Sequence, residues 1–179
     1  MTLDDFLDGL AARTPTPGGG GAAAVTGAMA AALVAMAARF SVARLPGALD
    51  LAEQADELRR RAAGLAEADA AAYTAVLDAR RQGGDLRNAL HGAAVVPLEI
   101  AEIGARVAEL AARLASAGNP NLRGDAATGA LLAAASARSA ACLVDINVTW
   151  GELEPELSRR AARAVTDACA TSERVVTER

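Results

Sequence analysis

Eighteen consecutive residues near the N-terminus, from Gly21 to Ala38, carry no charge, and most of them are alanine. Alanine is the strongest helix former. Aromatic residues make up only 2% of the chain, against 53% hydrophobic residues, so the core must be built mainly from Ala, Leu and Val. No stretch shows the apolar–polar alternation of a strand. The sequence therefore predicts an all-α protein.

The same uncharged run approaches the length of a membrane span. Alanine is too weakly apolar to drive insertion strongly, and Asp4, Asp5 and Asp8 stand where a signal peptide needs a basic region. We interpret the run as the central helix of a bundle, enclosed by other helices. The prediction is a cytoplasmic protein with no membrane partner.

Length, charge and side-chain size limit the number of domains, the oligomeric state and the kinds of partner that the chain can have. The chain of 179 residues fits one domain, residues 1–179. Small side chains let helices approach closely and favour burial against another subunit, so we expect a dimer. All 18 positive charges are arginine and the net charge is −4; without a basic stripe, nucleic acid is not an expected partner. Cys142 and Cys169 stand alone, so no metal site is predicted.

Apolar residues recurring every three or four positions predict a bundle of about five to seven helices around the central Ala-rich one. Pro97 lies inside one of them and is expected to kink or break it. A polar loop is predicted over Gly118–Gly124. The predicted helices are Thr2–Ala12, with Thr2 as N-cap, Gly21–Phe40, Leu49–Arg81, Leu86–Ser116, Asp125–Val148 and Glu154–Val176.

Two aspartates interrupt or head these apolar patterns. Asp69 occupies a position where the stripe of its helix calls for an apolar residue, and an inward carboxylate is costly unless it is paired or used. A partner arginine or local exposure explains that position equally well. Asp125 begins a predicted helix, where aspartate most often serves as a cap or a partner of the helix dipole.

The glycine run and the only histidine are weaker signals. Gly18 to Gly21 allows a sharp turn and close packing, and glycines before a helix also expose backbone N–H groups to an anion. The run lacks the Lys-Ser/Thr ending of a phosphate-binding P-loop. His91 has no neighbour in sequence to orient it, so we expect an ordinary, partly buried side chain.

Five segments, taken in order, resemble the cyclodeaminase/cyclohydrolase family, which includes the C-terminal domain of formiminotransferase-cyclodeaminase and bacterial methenyltetrahydrofolate cyclohydrolases. The similarity covers roughly Thr14 to Trp150. The segments are Thr16-Pro17-Gly18-Gly19-Gly20, LAEADAAAYTAVLDA (Leu65–Ala79), AAVVPLEIAE (Ala93–Glu102), GNPNLRGDAATGALLAAA (Gly118–Ala135) and Ile146-Asn147.

The resemblance implies a helical homodimer that carries out one-carbon chemistry on tetrahydrofolate. It implies no cofactor beyond the folate substrate and no metal. Asp69 and Asp125 are then the catalytic acid and base, in an order that the residues leave open. The substrate-binding residues that it selects are Gly18, Gly19, Gly20, Asn119, Asn121 and Asn147.

Some positions depart from the family pattern. Gly21 and Gly124 stand where the family usually carries serine, and the chain has no lysine. Two alternatives therefore stay open beside a folate cyclodeaminase or cyclohydrolase. One is a diverged, non-catalytic helical dimer that binds a small molecule or a partner. The other is an enzyme that acts on a different cyclic amidine or iminium substrate.

Overall fold

The computed structural model describes residues 2–177, which form six α-helices, one short 3-10 helix and no strand. The predicted all-α fold is confirmed. The helices are α1 (Leu3–Ala11), α2 (Gly19–Arg39), α3 (Ala48–Gln82), α4 (Leu86–Ala117), α5 (Arg123–Trp150) and α6 (Glu156–Thr177), and the 3-10 turn is Pro120–Leu122.

Local signals set several helix ends. Thr2 is the N-cap of α1: its hydroxyl accepts the Asp5 N–H at 3.1 Å, and the Asp5 carboxylate accepts the Thr2 N–H at 2.7 Å. This reciprocal capping box satisfies two backbone donors that the first turn cannot pair internally. Gly83 ends α3 in the left-handed conformation, at φ 69°, which glycine adopts without steric cost.

Small residues bring α2 and α5 into close antiparallel contact. Ser136 on α5 donates its hydroxyl to the Ala23 carbonyl on α2 at 2.8 Å. A Cβ on Gly129 would lie 3.1 Å from Val34 Cγ2, so only glycine fits there easily. α2 also packs against α3 and α4. It thus packs against three other helices of the bundle.

One part of the prediction for α2 is wrong, because the helix is not enclosed on every side. Met29 is 47% exposed and Phe40, just after the helix, is 63% exposed. An uncharged stripe runs along the outer side of the helix and consists of Ala22, Val25, Met29, Ala32, Leu33, Met36 and Phe40. We call it the α2 stripe. It leaves a long apolar surface without a partner inside the described subunit.

Pro97 was expected to kink or break its helix, and the break is wrong, since α4 is a single helix from Leu86 to Ala117. Pro97 is buried within it. Proline has no N–H, so the Ala93 carbonyl, four residues earlier, loses its helical donor. The Asn147 side chain on α5 replaces that donor with an Nδ2–H···O bond of 2.8 Å. A side chain from another helix thus supports the backbone where the proline removes a bond.

The predicted loop over Gly118–Gly124 is shorter than expected. Its middle forms the 3-10 turn, and α5 begins at Arg123. Asp125 is therefore the third residue of α5 rather than its cap. Two stretches, Gly19–Arg39 and Pro120–Trp150, are long and apolar enough to cross a membrane. In each, at least half of the apolar 18-residue window is buried inside the bundle, as in the core of a soluble protein.

Candidate active site

A cleft of about 250 Å³ opens where the start of α2 meets the middle of α3 and the end of α5. Its floor is the glycine run at the start of α2, and its walls carry one carboxylate, one amide and two aromatic rings. The lining residues are Pro15, Thr16, Gly18, Gly19, Gly20, Asp69, Tyr73, Ala93, Leu143, Ile146, Asn147 and Trp150.

Asp69 lies directly against the backbone of Gly20. A Cβ built on Gly20 would come within 1.9 Å of Asp69 Oδ1 and 2.2 Å of its Cγ. Real Cβ atoms essentially never approach another heavy atom so closely, so the carboxylate occupies the space of the missing side chain. The conformational freedom of glycine is secondary at this position; what matters is the absence of a side chain.

The environment of Asp69 raises the pKa of its carboxyl above the ordinary aspartate value. Burial raises the pKa of the half-buried carboxyl, and the backbone N–H of Gly21 opposes this in part by lowering the pKa. No arginine side chain forms an ion pair with Asp69 among residues 2–177. The alternative that an arginine neutralises this aspartate is thereby removed, and a cleft-facing carboxyl with a raised pKa is typical of a proton-transfer site.

The other glycines of the run are less constrained. A Cβ on Gly19 would meet only Leu143 at 3.9 Å, and one on Gly18 would meet nothing within 4 Å. Both residues line the cleft, but their neighbours tolerate a methyl group. Gly20 is therefore the glycine of the run that the site requires.

Asn147 joins the cleft to the proline of α4. Its Nδ2 donates to the Ala93 carbonyl at 2.8 Å and to the Leu143 carbonyl, one turn earlier on α5, at 3.0 Å. Both amide protons are thus used inside the protein. The Oδ1 atom is left as the polar atom that this side chain offers to a ligand.

The pairing of Asn147 with Pro97 can be tested by stability. Asn147→Ala leaves the Ala93 carbonyl without a donor and is expected to cost about 1–3 kcal/mol of unfolding free energy. Pro97→Ala restores an N–H four residues after Ala93. In the double variant the cost of Asn147→Ala should therefore shrink, which a double-mutant cycle from thermal melts measures. Additive costs would contradict the pairing.

The remaining predicted site residues lie at the far end of α5. Asn119 accepts the Asn121 N–H at 3.0 Å and donates its amide to the Phe40 carbonyl at 3.1 Å, so it fixes the turn before α5. Asn121 is exposed. Asp125, half-buried, lies eighteen residues before Leu143, or about 27 Å along the helix axis. Within one subunit the structure does not bring Asp69 and Asp125 together.

Two aromatic residues of the cleft were not among the predicted site residues. Tyr73 follows Asp69 by one helical turn on α3, and Trp150 follows Asn147 by one turn on α5. The helical spacing from Asp69 and Asn147 was a signal that could have found them. His91, expected to be partly buried, is exposed and lies outside the cleft. In the part of the chain that the structure describes, no three His, Cys, Asp or Glu side chains cluster to hold a metal.

The family model described as formiminotransferase-cyclodeaminase matches residues 2–152, which include every residue of the cleft. The chain belongs to this family. A methenyltetrahydrofolate cyclohydrolase of Methylorubrum extorquens is 37% identical over 163 residues, which cover 82% of this chain and 78% of the relative. The crystal structure of a formiminotetrahydrofolate cyclodeaminase from Thermotoga maritima matches with a TM-score of 0.85 and 32% identity, over 98% of this chain and 91% of that one.

Proposed function

We propose that this chain catalyses carbon–nitrogen bond chemistry on the one-carbon unit of tetrahydrofolate, as a cyclohydrolase or a cyclodeaminase. The observation that carries the proposal is the Asp69 carboxyl, held in a cleft against the bare backbone of Gly20 with its pKa raised. The names of the two relatives supply the substrate class. We further expect a cytoplasmic enzyme.

Either reaction needs a group that takes a proton and one that gives it. In hydrolysis of the methenyl bridge, a base removes a proton from the attacking water, and the departing folate nitrogen gains one. In cyclodeamination, N10 attacks the formimino carbon and loses its proton, while ammonia leaves from that carbon after protonation. A carboxyl whose pKa is raised by burial can serve as the acid or the base of such transfers. No metal or redox cofactor enters this scheme.

The α2 stripe supports a homodimer. The stripe runs the whole length of α2 without a charge, and the neighbouring α5 adds the exposed Leu131. Apolar surface of this extent normally marks an interface. Its border is charged, since Arg39 pairs with Asp56 at the end of α2. We propose that a second copy of the chain covers the stripe.

A two-fold axis near Met29, in the middle of α2, would bring residues of the two subunits together at each active site. With this axis perpendicular to α2, the two copies of the helix would run antiparallel and present the same surface to each other, as in an isologous contact. The Gly20 end of one subunit would face the Phe40 end of its partner, and Asp125 lies at that second end. The proposed acid–base pair is therefore Asp69 of one subunit with the partner subunit's Asp125.

Disrupting the α2 stripe should remove both the dimer and the activity. Met29→Glu places two carboxylates beside each other at the axis, in an apolar contact that cannot solvate them. We expect a folded monomer by light scattering, with turnover lowered at least about a hundredfold, in the range of losing an acid–base group. Val176→Glu, at an apolar residue that is 54% exposed and lies outside the stripe, is the control. An active monomer would contradict the proposal.

Mixing two inactive variants tests the shared site. Asp69→Asn and Asp125→Asn each spoil both sites of their own homodimer. After denaturation and refolding together, a heterodimer has one doubly substituted site and one intact site. If the pair spans two subunits, activity should return to roughly a quarter of wild type. If both carboxyls served one subunit's site, no activity would return.

The choice between the two reactions needs direct assays. Loss of the methenyl absorbance of methenyltetrahydrofolate reports the cyclohydrolase, and release of ammonia from formiminotetrahydrofolate reports the cyclodeaminase. A folded, dimeric protein that accelerates neither reaction would contradict the proposed function.

A further inference from the structure

Trp150 is the only tryptophan of the chain and stands at the mouth of the cleft. It is the last residue of α5, one turn beyond Asn147. Its side chain is 59% exposed, an unusual position for the largest apolar side chain in a protein with so few aromatics. The packing of the core does not account for it, because it belongs to none of the three core clusters of the described residues.

The guanidinium of Arg80 lies over the Trp150 ring, 5.3 Å from the ring centroid. Arg80 is in the last turn of α3, so this cation–π contact joins the ends of α3 and α5 beside the cleft. A cation over one face of an exposed ring steadies the ring and leaves other ring surface open. Trp150 is thereby held in place without being buried.

Tyr73 stands on the α3 side of the same cleft, one turn beyond Asp69, and is 41% exposed. The cleft thus has a polar floor, with Asp69 against the glycine backbone, and an aromatic rim, with Tyr73 and Trp150. Ile146, 37% exposed, adds an apolar side chain beside Trp150. Such an order suits a ligand whose reacting group is flanked by a planar ring.

We propose that Trp150, backed by Arg80, packs against a planar ring of the substrate and positions the reacting carbon over Asp69. The proposal rests on the proposed folate function, since folate carries planar rings on both sides of its one-carbon unit. Trp150 is a positioning residue here and takes no part in proton transfer. Aromatic rings stack on one another strongly enough to contribute several-fold to affinity.

Trp150 also supplies the readout, because as the sole tryptophan it is the source of all tryptophan fluorescence. Titration with 5-formyltetrahydrofolate, a stable one-carbon folate, should change that emission in wild type. By calorimetry, Trp150→Ala should raise the Kd about tenfold, whereas Trp150→Phe should stay within about threefold. Arg80→Gln should raise it about two- to fivefold. Arg163→Gln, at an exposed arginine on α6 outside both the cleft and the proposed dimer contact, should leave it unchanged.

Each other result overturns the inference in a recognisable way. If wild type binds 5-formyltetrahydrofolate and Trp150→Ala binds it equally well with a lower Tm, Trp150 only joins two helix ends, and the folate function stands. Binding detected by calorimetry with unchanged tryptophan emission also overturns the inference alone. If wild type does not bind the folate and turns over neither substrate, the proposed function and this inference fall together.

Discussion

Asp69→Asn is expected to lower turnover of the folate substrate by about 10²–10⁴-fold, the usual contribution of a general acid or base. Asparagine keeps the shape of the side chain but can neither take nor give the proton. The residue lies in the cleft against Gly20, so the loss should appear in kcat as well as in kcat/KM. The measurement is the initial rate per folded subunit, with folding checked by thermal melts.

Although Asp69→Asn lowers turnover, it should leave the stability of the fold at high pH unchanged or increase it. Because burial raises the pKa of Asp69 in the folded state, the folded protein binds its proton more tightly than the unfolded chain does. The stability contributed by the protonated form is therefore fully present below the unfolded pKa and is lost as pH rises through the folded pKa. Asp69→Asn should flatten this fall.

At pH 8 the Tm of Asp69→Asn should equal or exceed that of wild type. Relief of about 1 kcal/mol would raise it by about 2–4 °C for a chain of this length. Asp78→Asn, an exposed aspartate on the same helix, is the matched control and should change neither rate nor melting. An Asp69→Asn variant that is less stable but turns over normally would assign the carboxyl a structural role only.

Gly20→Ala should nearly abolish activity, although it adds only a methyl group. The new Cβ would overlap the Asp69 carboxylate, with 1.9 Å to Oδ1, so the carboxyl must rotate out of its place. We expect a rate loss of at least about a hundredfold, comparable with removal of the acid–base group itself. Rates at saturating substrate, per folded subunit, measure it.

Gly19→Ala is the matched control, one residue earlier in the same run. Its Cβ would meet only Leu143, at the ordinary distance of 3.9 Å, so activity should stay within a few-fold of wild type. In a helix, Gly→Ala alone stabilises by up to about 1 kcal/mol. Any destabilisation of Gly20→Ala thus has to exceed that gain. Equal rates for the two variants would mean that Asp69 need not lie where it does.

The helices and one of the key residues could be predicted from the sequence. Heptad-like apolar spacing and abundant alanine give the helix positions to within a few residues, because one face of each helix is buried. Asp69 could be singled out because it interrupts the apolar stripe that runs through Leu58, Ala62 and Leu65. Burying an isolated carboxylate among small apolar residues costs free energy unless the group is paired or takes part in function. This argument depends on the sequence alone.

Other features depend on contacts between segments distant in sequence. Nothing near Gly20 indicates that a carboxylate from α3 fills the space of its missing Cβ. The continuity of α4 through Pro97 depends on Asn147, fifty residues later. The separation of Asp69 from Asp125 within a subunit also follows only from the antiparallel packing of α2 and α5. The spacing of residues along the chain does not determine these contacts between helices.

The pH dependence of kcat/KM, compared between wild type and Asp69→Asn, is the most direct test of Asp69 as the proton-transfer group. Wild type should titrate with an apparent pKa above about 3.9, the ordinary aspartate value, because burial raises the pKa of this carboxyl. That ionisation should vanish from the residual activity of Asp69→Asn. An unchanged profile in Asp69→Asn, with rates close to wild type, would contradict the role assigned to Asp69.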